Sequence, residues 1–113
     1  MTDKIVILVT AADQDESRKI ARRLIEAELA ACVNILPAIE SVYRWQGQIA
    51  EERECLLIIK SAKELYAEIE TEILRIHSYK TPEIICLPIV EGSRSYLQWM
   101  SQSVKSARVD KSN

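Results

Sequence analysis

The sequence predicts an α+β protein of one domain, in which a four-stranded antiparallel sheet carries two helices and a third helix follows at the C-terminal end. A chain of 113 residues is long enough for one hydrophobic core but not for two. Apolar strand-like runs alternate with segments of helical periodicity. Their order is strand, helix, strand, strand, helix, strand, which is the ferredoxin-like βαββαβ arrangement. Residues 1–105 are therefore predicted to form one domain, and residues 106–113 a polar tail.

The first predicted strand covers residues 4–12, and a helix follows it directly. Asp13 and Glu16 have the spacing of a capping box, in which the two side chains bond main-chain amides at the start of a helix. The apolar residues after this box recur at helical spacing. These residues are Ile20, Leu24, Ala27 and Ala31. The pattern predicts one amphipathic helix packed on the first strand.

A long hairpin is predicted next. Residues 31–36 form its first strand, and Pro37 interrupts that strand, which indicates an edge position or a bulge. Alternation resumes over residues 39–45, and the pair at 46–47 (Gln-Gly) suits a hairpin turn. Residues 48–60 form the partner strand.

The second half of the chain repeats the strand and helix pattern. Ser61 and Glu64 have the spacing of a second capping box. The apolar stripe of the helix after it consists of Leu65, Ile69, Ile73 and Ile76. Residues 83–90 are predicted to be the fourth strand, and Ser93 opens a short third helix.

Three of the predicted strands are too apolar for a sheet with one solvated face. Residues 5–9, 55–59 and 84–90 are almost unbroken apolar runs, whereas such a strand should alternate apolar and polar residues. The chain has no spare element large enough to cover a second apolar face, and leaving it exposed would favour aggregation. Self-association, with sheets of neighbouring subunits packed on each other, is the expected solution.

Composition limits the possible partners. The net charge of −2 gives no basic excess for binding nucleic acid. No apolar run reaches the roughly 18 residues needed to span a bilayer, so a cytoplasmic protein without membrane partners is expected. The three cysteines, Cys32, Cys55 and Cys86, are too far apart for a local metal motif and are expected to be buried reduced thiols.

Several segments along the chain carry a resemblance to a known family. They are residues 29–35 (Leu-Ala-Ala-Cys-Val-Asn-Ile), 43–49 (Tyr-x-Trp-x-Gly-x-Ile), Glu54 leading into 58–61 (Ile-Ile-Lys-Ser), 77–84 (His-Ser-Tyr-Lys-Thr-Pro-Glu-Ile) and 92–99 (Gly-x-x-x-Tyr-Leu-x-Trp). With these segments, in this order and spacing, the chain resembles the CutA divalent-cation tolerance family from about residue 5 to 100. The predicted domain is thus a CutA-like domain.

The resemblance implies a tight homotrimer of ferredoxin-like subunits, similar in architecture to PII signalling proteins, which bind small ligands between subunits. The family's name refers to tolerance of copper and other divalent cations, so a non-enzymatic tolerance protein that binds copper is the first hypothesis. A PII-like trimer that senses a small anion, or a scaffold that binds a partner protein, is the alternative. The family usually has His-Pro-Tyr-Glu where this chain has Ser78 and Lys80 in the second and fourth positions. Lys80 places a cation where a carboxylate is usual, which favours an anionic ligand.

Candidate metal ligands are Cys32, His77 and Glu83, because thiolate and imidazole groups favour Cu(II) or another divalent cation. One chain cannot form a closed site from these scattered residues, but a trimer could bring copies together. His77 is also consistent with a residue that interacts with the end of a helix.

A ligand-binding cleft between subunits is expected to be lined by Glu54, Lys60, His77 and Tyr79, although surface ion pairs would explain the charged residues equally. Trp45 and Trp99 are expected at subunit interfaces. No enzyme motif is present, since the chain has only two glycines and no phosphate-binding loop.

Overall fold

The computed structural model describes residues 2–106, so almost all of the predicted tail lies outside the described residues. Four strands and three helices occur in this part of the chain, in the predicted order. They are β1 (Lys4–Ala11), α1 (Gln14–Glu26), β2 (Cys32–Trp45), β3 (Gln48–Ala62), α2 (Tyr66–Ile76), β4 (Ile84–Pro88) and α3 (Arg94–Ser103). A single 3-10 turn, Lys63–Leu65, precedes α2.

The strands form one antiparallel sheet in the order β2-β3-β1-β4. β1 lies inside the sheet and pairs with β3 on one side and β4 on the other. The prediction of an α+β fold with a four-stranded antiparallel sheet is confirmed. β4 is shorter than predicted, because its pairing with β1 ends at Pro88 rather than at residue 90.

β2 and β3 continue well past the end of β1 as a two-stranded ribbon, which we define as residues 39–54. Gln46 and Gly47 form the turn with φ angles of 50° and 79°, and positive values at both positions are typical of the turn that joins twisted strands tightly. The register shifts between Leu36 and Ile39, so Pro37 lies at a bulge on an edge strand, as predicted. The Cys55 thiol donates to the Pro37 carbonyl at 3.2 Å.

The core lies between one face of the sheet and the two helices α1 and α2. The sheet contributes alternate residues from β1 and β3, and each helix contributes its apolar stripe. The core includes Ile5, Ile7, Val9, Leu57 and Ile59 from the sheet, with Ile20, Leu24, Ile69 and Ile73 from the helices. Each such side chain stabilises the fold by about 1.5–3 kcal/mol when fully buried.

One predicted capping box is confirmed and the other is wrong. Asp13 accepts a hydrogen bond from the Glu16 amide at 2.8 Å, and Glu16 accepts one from the Ala12 amide at 3.0 Å. Ser61, in contrast, lies within β3, and its hydroxyl donates to the Leu29 carbonyl at 2.5 Å. Residue 62 holds the capping position before the 3-10 turn, without a side-chain bond. Pairing of β3 with β1 extends through residue 62, and this pairing keeps Ser61 in the strand.

The second face of the sheet, opposite α1 and α2, is only partly covered. One register row across all four strands on this face consists of Asn34, Ile58, Leu8 and Ile85. Ile85 and its neighbour Leu87 are each 46% exposed.

The helix α3 covers one end of this second face. The ammonium of Lys60, a second-face residue of β3, lies 5.8 Å from the ring centroid of Tyr96 in α3. Met100 of the same helix is buried. The expectation that no element covers this face is therefore wrong at this end. Among the described residues, no helix combines the length and apolar character needed to cross a membrane.

Candidate functional site

A group of interacting polar side chains lies where β1 ends and α1 begins. The segment joining α2 to β4, here called the 77–83 loop, passes over this point. Residues of this loop bond the main-chain carbonyl of Thr10, near the end of β1, and the side chain of Glu16, in the first turn of α1. The base of the ribbon is close enough for Tyr79 of the loop to reach Glu54.

His77 is held on both sides of its ring, and its side chain is fully buried. Nε2 lies 2.7 Å from the Thr10 carbonyl, which can only accept, so Nε2 carries the proton. Nδ1 accepts a hydrogen bond from the Tyr79 amide at 3.0 Å. The structure therefore places a neutral imidazole in a defined tautomer, with both nitrogens occupied by main-chain partners.

Glu16 joins the start of α1 to the 77–83 loop. Its Oε2 accepts from the Ser78 amide at 2.5 Å and lies 3.6 Å from Nδ1 of His77. Burial raises the pKa of this carboxyl, but hydrogen bonds from the Ala12 and Ser78 amides outweigh burial, so the pKa is below its usual value. Glu16 remains a carboxylate at neutral pH. Sequence reasoning treated Glu16 only as a cap, and nothing in the capping pattern shows that its second oxygen reaches the loop.

Tyr79 connects the imidazole to the ribbon. Its ring lies 4.8 Å from the His77 ring at an angle of 48°. Its hydroxyl donates to Glu54 Oε1 at 3.3 Å. Burial, and next the negative charge of Glu54, raise the pKa of Tyr79 far above its ordinary value. The phenol therefore stays protonated and acts as a hydrogen-bond donor to the carboxylate.

Glu52 and Glu54 alternate along β3 and so point to the same side of the ribbon. The Tyr43 hydroxyl is hydrogen-bonded to Glu52, and this bond, followed by burial, raises the pKa of Tyr43. Glu54 is buried, with 7% of its surface exposed. Two carboxylates with tyrosine hydroxyls beside them make this side of the ribbon acidic, which suits a cation better than an anion.

Cys32 and Lys60 lie elsewhere in the chain, opposite each other in the register of β2 and β3. Lys60 is six residues from Glu54 along β3, or roughly 20 Å at the rise of a strand. The Cys32 thiol is 3.7 Å from the Asn34 side-chain oxygen and is partly exposed. One chain thus brings His77, Tyr79 and Glu54 together, but it leaves Lys60 and Cys32 at the other end of the sheet.

The remaining predicted residues are exposed. Glu83 precedes β4 at the surface. Trp45, at the tip of the ribbon, is 58% exposed, and Trp99 of α3 packs against Tyr96 with ring centroids 5.4 Å apart. Such exposed aromatic residues fit an interface with another chain. Cys86 is also exposed in this single chain, so the expectation of three buried thiols holds fully only for Cys55.

Within residues 2–106, no three histidine, cysteine or acidic side chains are grouped so that they could hold a metal ion. Cys32, His77 and Glu83 are therefore not gathered into a site by a single chain. An open groove of about 480 Å³ lies between the start of β1 and α3 and contains none of the predicted site residues. Its lining consists of Thr2, Asp3, Lys4, Gly92, Arg94, Leu97, Gln98 and Ser101.

The fold and the site together define a small α+β protein whose polar groups meet at one end of an antiparallel sheet and whose second sheet face is partly apolar and uncovered. A family model of the CutA1 divalent ion tolerance protein matches residues 5–103. The chain belongs to this family, as the resemblance predicted.

Its relatives come from different domains of life. The chain is 42% identical over 98 residues to the divalent-cation tolerance protein CutA of Thermus thermophilus, covering 87% of this chain and 95% of that one. It is 41% identical to the chloroplastic protein CutA of Arabidopsis thaliana, covering 90% of this chain but only 56% of that longer relative. The name of the Thermus relative describes a divalent-cation tolerance protein.

The fold agrees with solved structures of this family. The structure titled periplasmic divalent cation tolerance protein CutA from Archaeoglobus fulgidus superposes with a TM-score of 0.88 at 39% identity, covering 90% of this chain and 99% of that one. The relatives' names thus refer to different compartments, the chloroplast and the periplasm.

Proposed function

We propose that this protein works as a homotrimer of ferredoxin-like subunits that binds divalent cations, copper foremost, and contributes to cation tolerance without catalysing a reaction. The observation that carries the proposal is the uncovered apolar part of the second sheet face. Family membership supplies the link to divalent cations. The acidic side of the ribbon supports a cation over an anion as the ligand.

The second face gives a physical reason for assembly. Ile85 and Leu87 at the edge strand, and Leu36 on β2, are large apolar residues with 39–46% of their surface exposed. An apolar patch of this kind marks an interaction surface in a soluble protein. The ribbon, with Trp45 at its tip, extends far enough to reach a neighbouring copy. A closed assembly in which each copy covers the sheet of the next would bury both features.

Assembly would also explain how dispersed residues could form one cation site. We propose that Cys32 and Glu83 supply ligands from different copies, while Glu54, Tyr79 and Lys60 line the cleft between them. For His77 to be a ligand, it would have to give up its bond to Thr10 or to the Tyr79 amide. We therefore propose that His77 contributes by holding Tyr79 in place.

A cytoplasmic location remains part of the proposal. Three cysteines cannot all pair within one chain, and no two of them form a disulfide in the structure. Reduced thiols are typical of a reducing compartment.

Isothermal titration with Cu(II), together with sedimentation velocity, tests this function. The purified protein should sediment as a trimer, and Cys32→Ala and Glu83→Gln should each weaken Cu(II) binding at least about tenfold, a loss near 1.4 kcal/mol. Cys86→Ala is the matched control, because it removes an exposed thiol that is not in the proposed site. Equal loss in all three variants, or no loss in any, would indicate nonspecific surface coordination. Binding of phosphate or a small organic acid in place of copper would favour the sensing alternative.

A further inference from the structure

Glu16 has two different partners for its two carboxylate oxygens. Oε1 accepts from the Ala12 amide at 3.0 Å, as a capping residue of α1 would. Oε2 accepts from the Ser78 amide at 2.5 Å, and Ser78 lies 62 residues further along the chain. A cap needs only the first of these bonds. The second bond joins the start of α1 to the 77–83 loop at Ser78. Ser78 itself is exposed to solvent.

Two consecutive amides of the loop are fixed by this arrangement. The Ser78 amide donates to Glu16, and the next amide, that of Tyr79, donates to Nδ1 of His77. Fixing both amides sets the direction of the main chain between them. It also leaves the Tyr79 ring against the imidazole and its hydroxyl 3.3 Å from Glu54.

We propose that Glu16 is a positioning residue for the site. Its carboxylate holds the loop so that His77 keeps the tautomer with the proton on Nε2 and Tyr79 keeps its contact with Glu54. The importance of that contact for cation binding rests on the proposed function, but the positioning itself needs no ligand. Groups held in place by such supporting bonds bind a ligand more tightly, because less ordering is required when the ligand arrives.

Other groups around the imidazole cannot take over this role. Thr10 offers only a main-chain carbonyl, which bonds Nε2 and fixes the ring but not the loop. Tyr79 is itself the group being positioned. Glu54 contacts only the far end of Tyr79, through the hydroxyl. Glu16 is thus the side chain through which α1 sets the loop.

The variant Glu16→Gln tests the proposal with little risk to the fold, because glutamine has nearly the same shape but only one accepting oxygen. Asp15→Asn is the matched control. It removes the same charge from the same turn of α1, and the Asp15 side chain is 97% exposed, with only a 3.4 Å contact to Arg18. Circular dichroism melting checks that both variants are folded.

The first readout is nuclear magnetic resonance of the ligand-free protein. The chain has a single histidine, so the two ring nitrogens give one unambiguous pair of ¹⁵N signals. In Glu16→Gln we expect these signals and the Ser78 and Tyr79 amides to shift, and the Ser78 amide, which loses its bond to Glu16, to exchange with solvent about fivefold faster, the effect of losing one hydrogen bond. Asp15→Asn should leave all of them unchanged. If Glu16→Gln changes only amides at the start of α1, Glu16 is a cap and the proposal is wrong.

The second readout is Cu(II) titration of the same two variants. Glu16→Gln should weaken binding about fivefold, again the effect of one hydrogen bond, and Asp15→Asn should not. Unchanged Cu(II) affinity in Glu16→Gln, alongside shifted His77 signals, would overturn the part of the inference that concerns the site. If the unmodified protein fails to bind Cu(II), the proposed function falls, whereas the ligand-free signals still decide whether Glu16 positions the loop.

Discussion

The substitution Ile58→Asp tests whether the second sheet face is covered by other copies of the chain or is exposed to solvent. Ile58 lies on β3 in the row between Asn34 and Leu8 and is partly exposed in a single chain. In a monomer the substitution would remove only part of the burial of one isoleucine, about 1 kcal/mol out of the 1.5–3 kcal/mol for complete burial. The new carboxylate could remain in contact with water.

In a trimer that covers this face, the same substitution has a much larger effect. Each copy would bury a carboxylate without a partner, which costs several kcal/mol per ion. A closed assembly contains the substitution in every copy, so the penalties add around the ring. We expect Ile58→Asp to dissociate at micromolar concentration and to melt well below the unmodified protein.

Sedimentation velocity and thermal melting, measured on the same samples, provide the assay. The unmodified chain should sediment with about three times its mass of 12.9 kDa, and Ile58→Asp as a monomer or as unfolded material. Ile59→Ala is the control, since Ile59 is completely buried on the opposite, core face of the same strand. It should lower stability by about 2–5 kcal/mol yet retain the trimer until it unfolds. An unmodified protein that sediments as a monomer, or an Ile58→Asp variant with the trimer mass, would refute the reasoning.

Three further predictions concern the ribbon, a buried hydroxyl and acid stability. Trp45→Ala should promote dissociation and lower the melting temperature, because truncating an interface tryptophan costs roughly 2–4 kcal/mol; unchanged mass and melting would exclude an anchor role. Ser61→Ala should lower the free energy of unfolding in urea by about 1–3 kcal/mol, because it leaves a buried carbonyl without its donor; a change below ~0.5 kcal/mol would contradict this. Hydrogen bonds from Arg75 and then Arg23 lower the pKa of Glu72 from 4.5 to about 2, so its contribution to stability is present above pH 4.5 and is lost as the pH falls towards 2. In urea titrations across that range, Glu72→Gln should show a shallower loss of stability than the unmodified protein, and identical slopes would refute the assignment.

Ser61→Ala and Glu72→Gln each have a matched control substitution. Ser101→Ala removes an exposed hydroxyl from α3 and should leave the free energy of unfolding unchanged. Glu51→Gln neutralises an exposed carboxylate of the ribbon and should leave the acid slope as it is. If Ser101→Ala destabilises the protein as much as Ser61→Ala, the buried hydrogen bond of Ser61 does not explain the loss. If Glu51→Gln changes the acid slope as much as Glu72→Gln, the ion pairs of Glu72 do not explain that slope.

The fold was largely predictable because its signals are local. Asp13 and Ser93 do accept the amides of Glu16 and Tyr96 at the starts of α1 and α3. Gly47 lies in the hairpin turn, and Pro37 lies at the bulge. Each of these features depends on the geometry of a few consecutive residues, which the sequence displays directly.

The errors arose where distant partners decide the outcome. A serine three residues before a glutamate predicts a cap, yet Ser61 remains in β3 because that strand pairs with β1 as far as residue 62. β4 likewise ends where its pairing with β1 ends, at Pro88 opposite Ile5. The position of α3 over the second face depends on contacts such as that between Lys60 and Tyr96, which no local pattern indicates.

In the site, too, the local features could be predicted from the sequence and the long-range contacts could not. This matters for any copper site that would include His77. The sequence placed His77 and Tyr79 side by side, but it could not show that Thr10 and the Tyr79 amide occupy both ring nitrogens. A copper site that included His77 would have to break one of these bonds and leave a buried group unsatisfied, at a cost of about 1–3 kcal/mol that the metal would have to offset. A site built on Cys32 and Glu83, which are not buried, carries no such cost. Copper that binds while the single pair of imidazole signals stays unchanged would therefore exclude His77 as a ligand and agree with a site on Cys32 and Glu83, whereas copper that broadens or strongly shifts those signals would show that His77 lies at the metal.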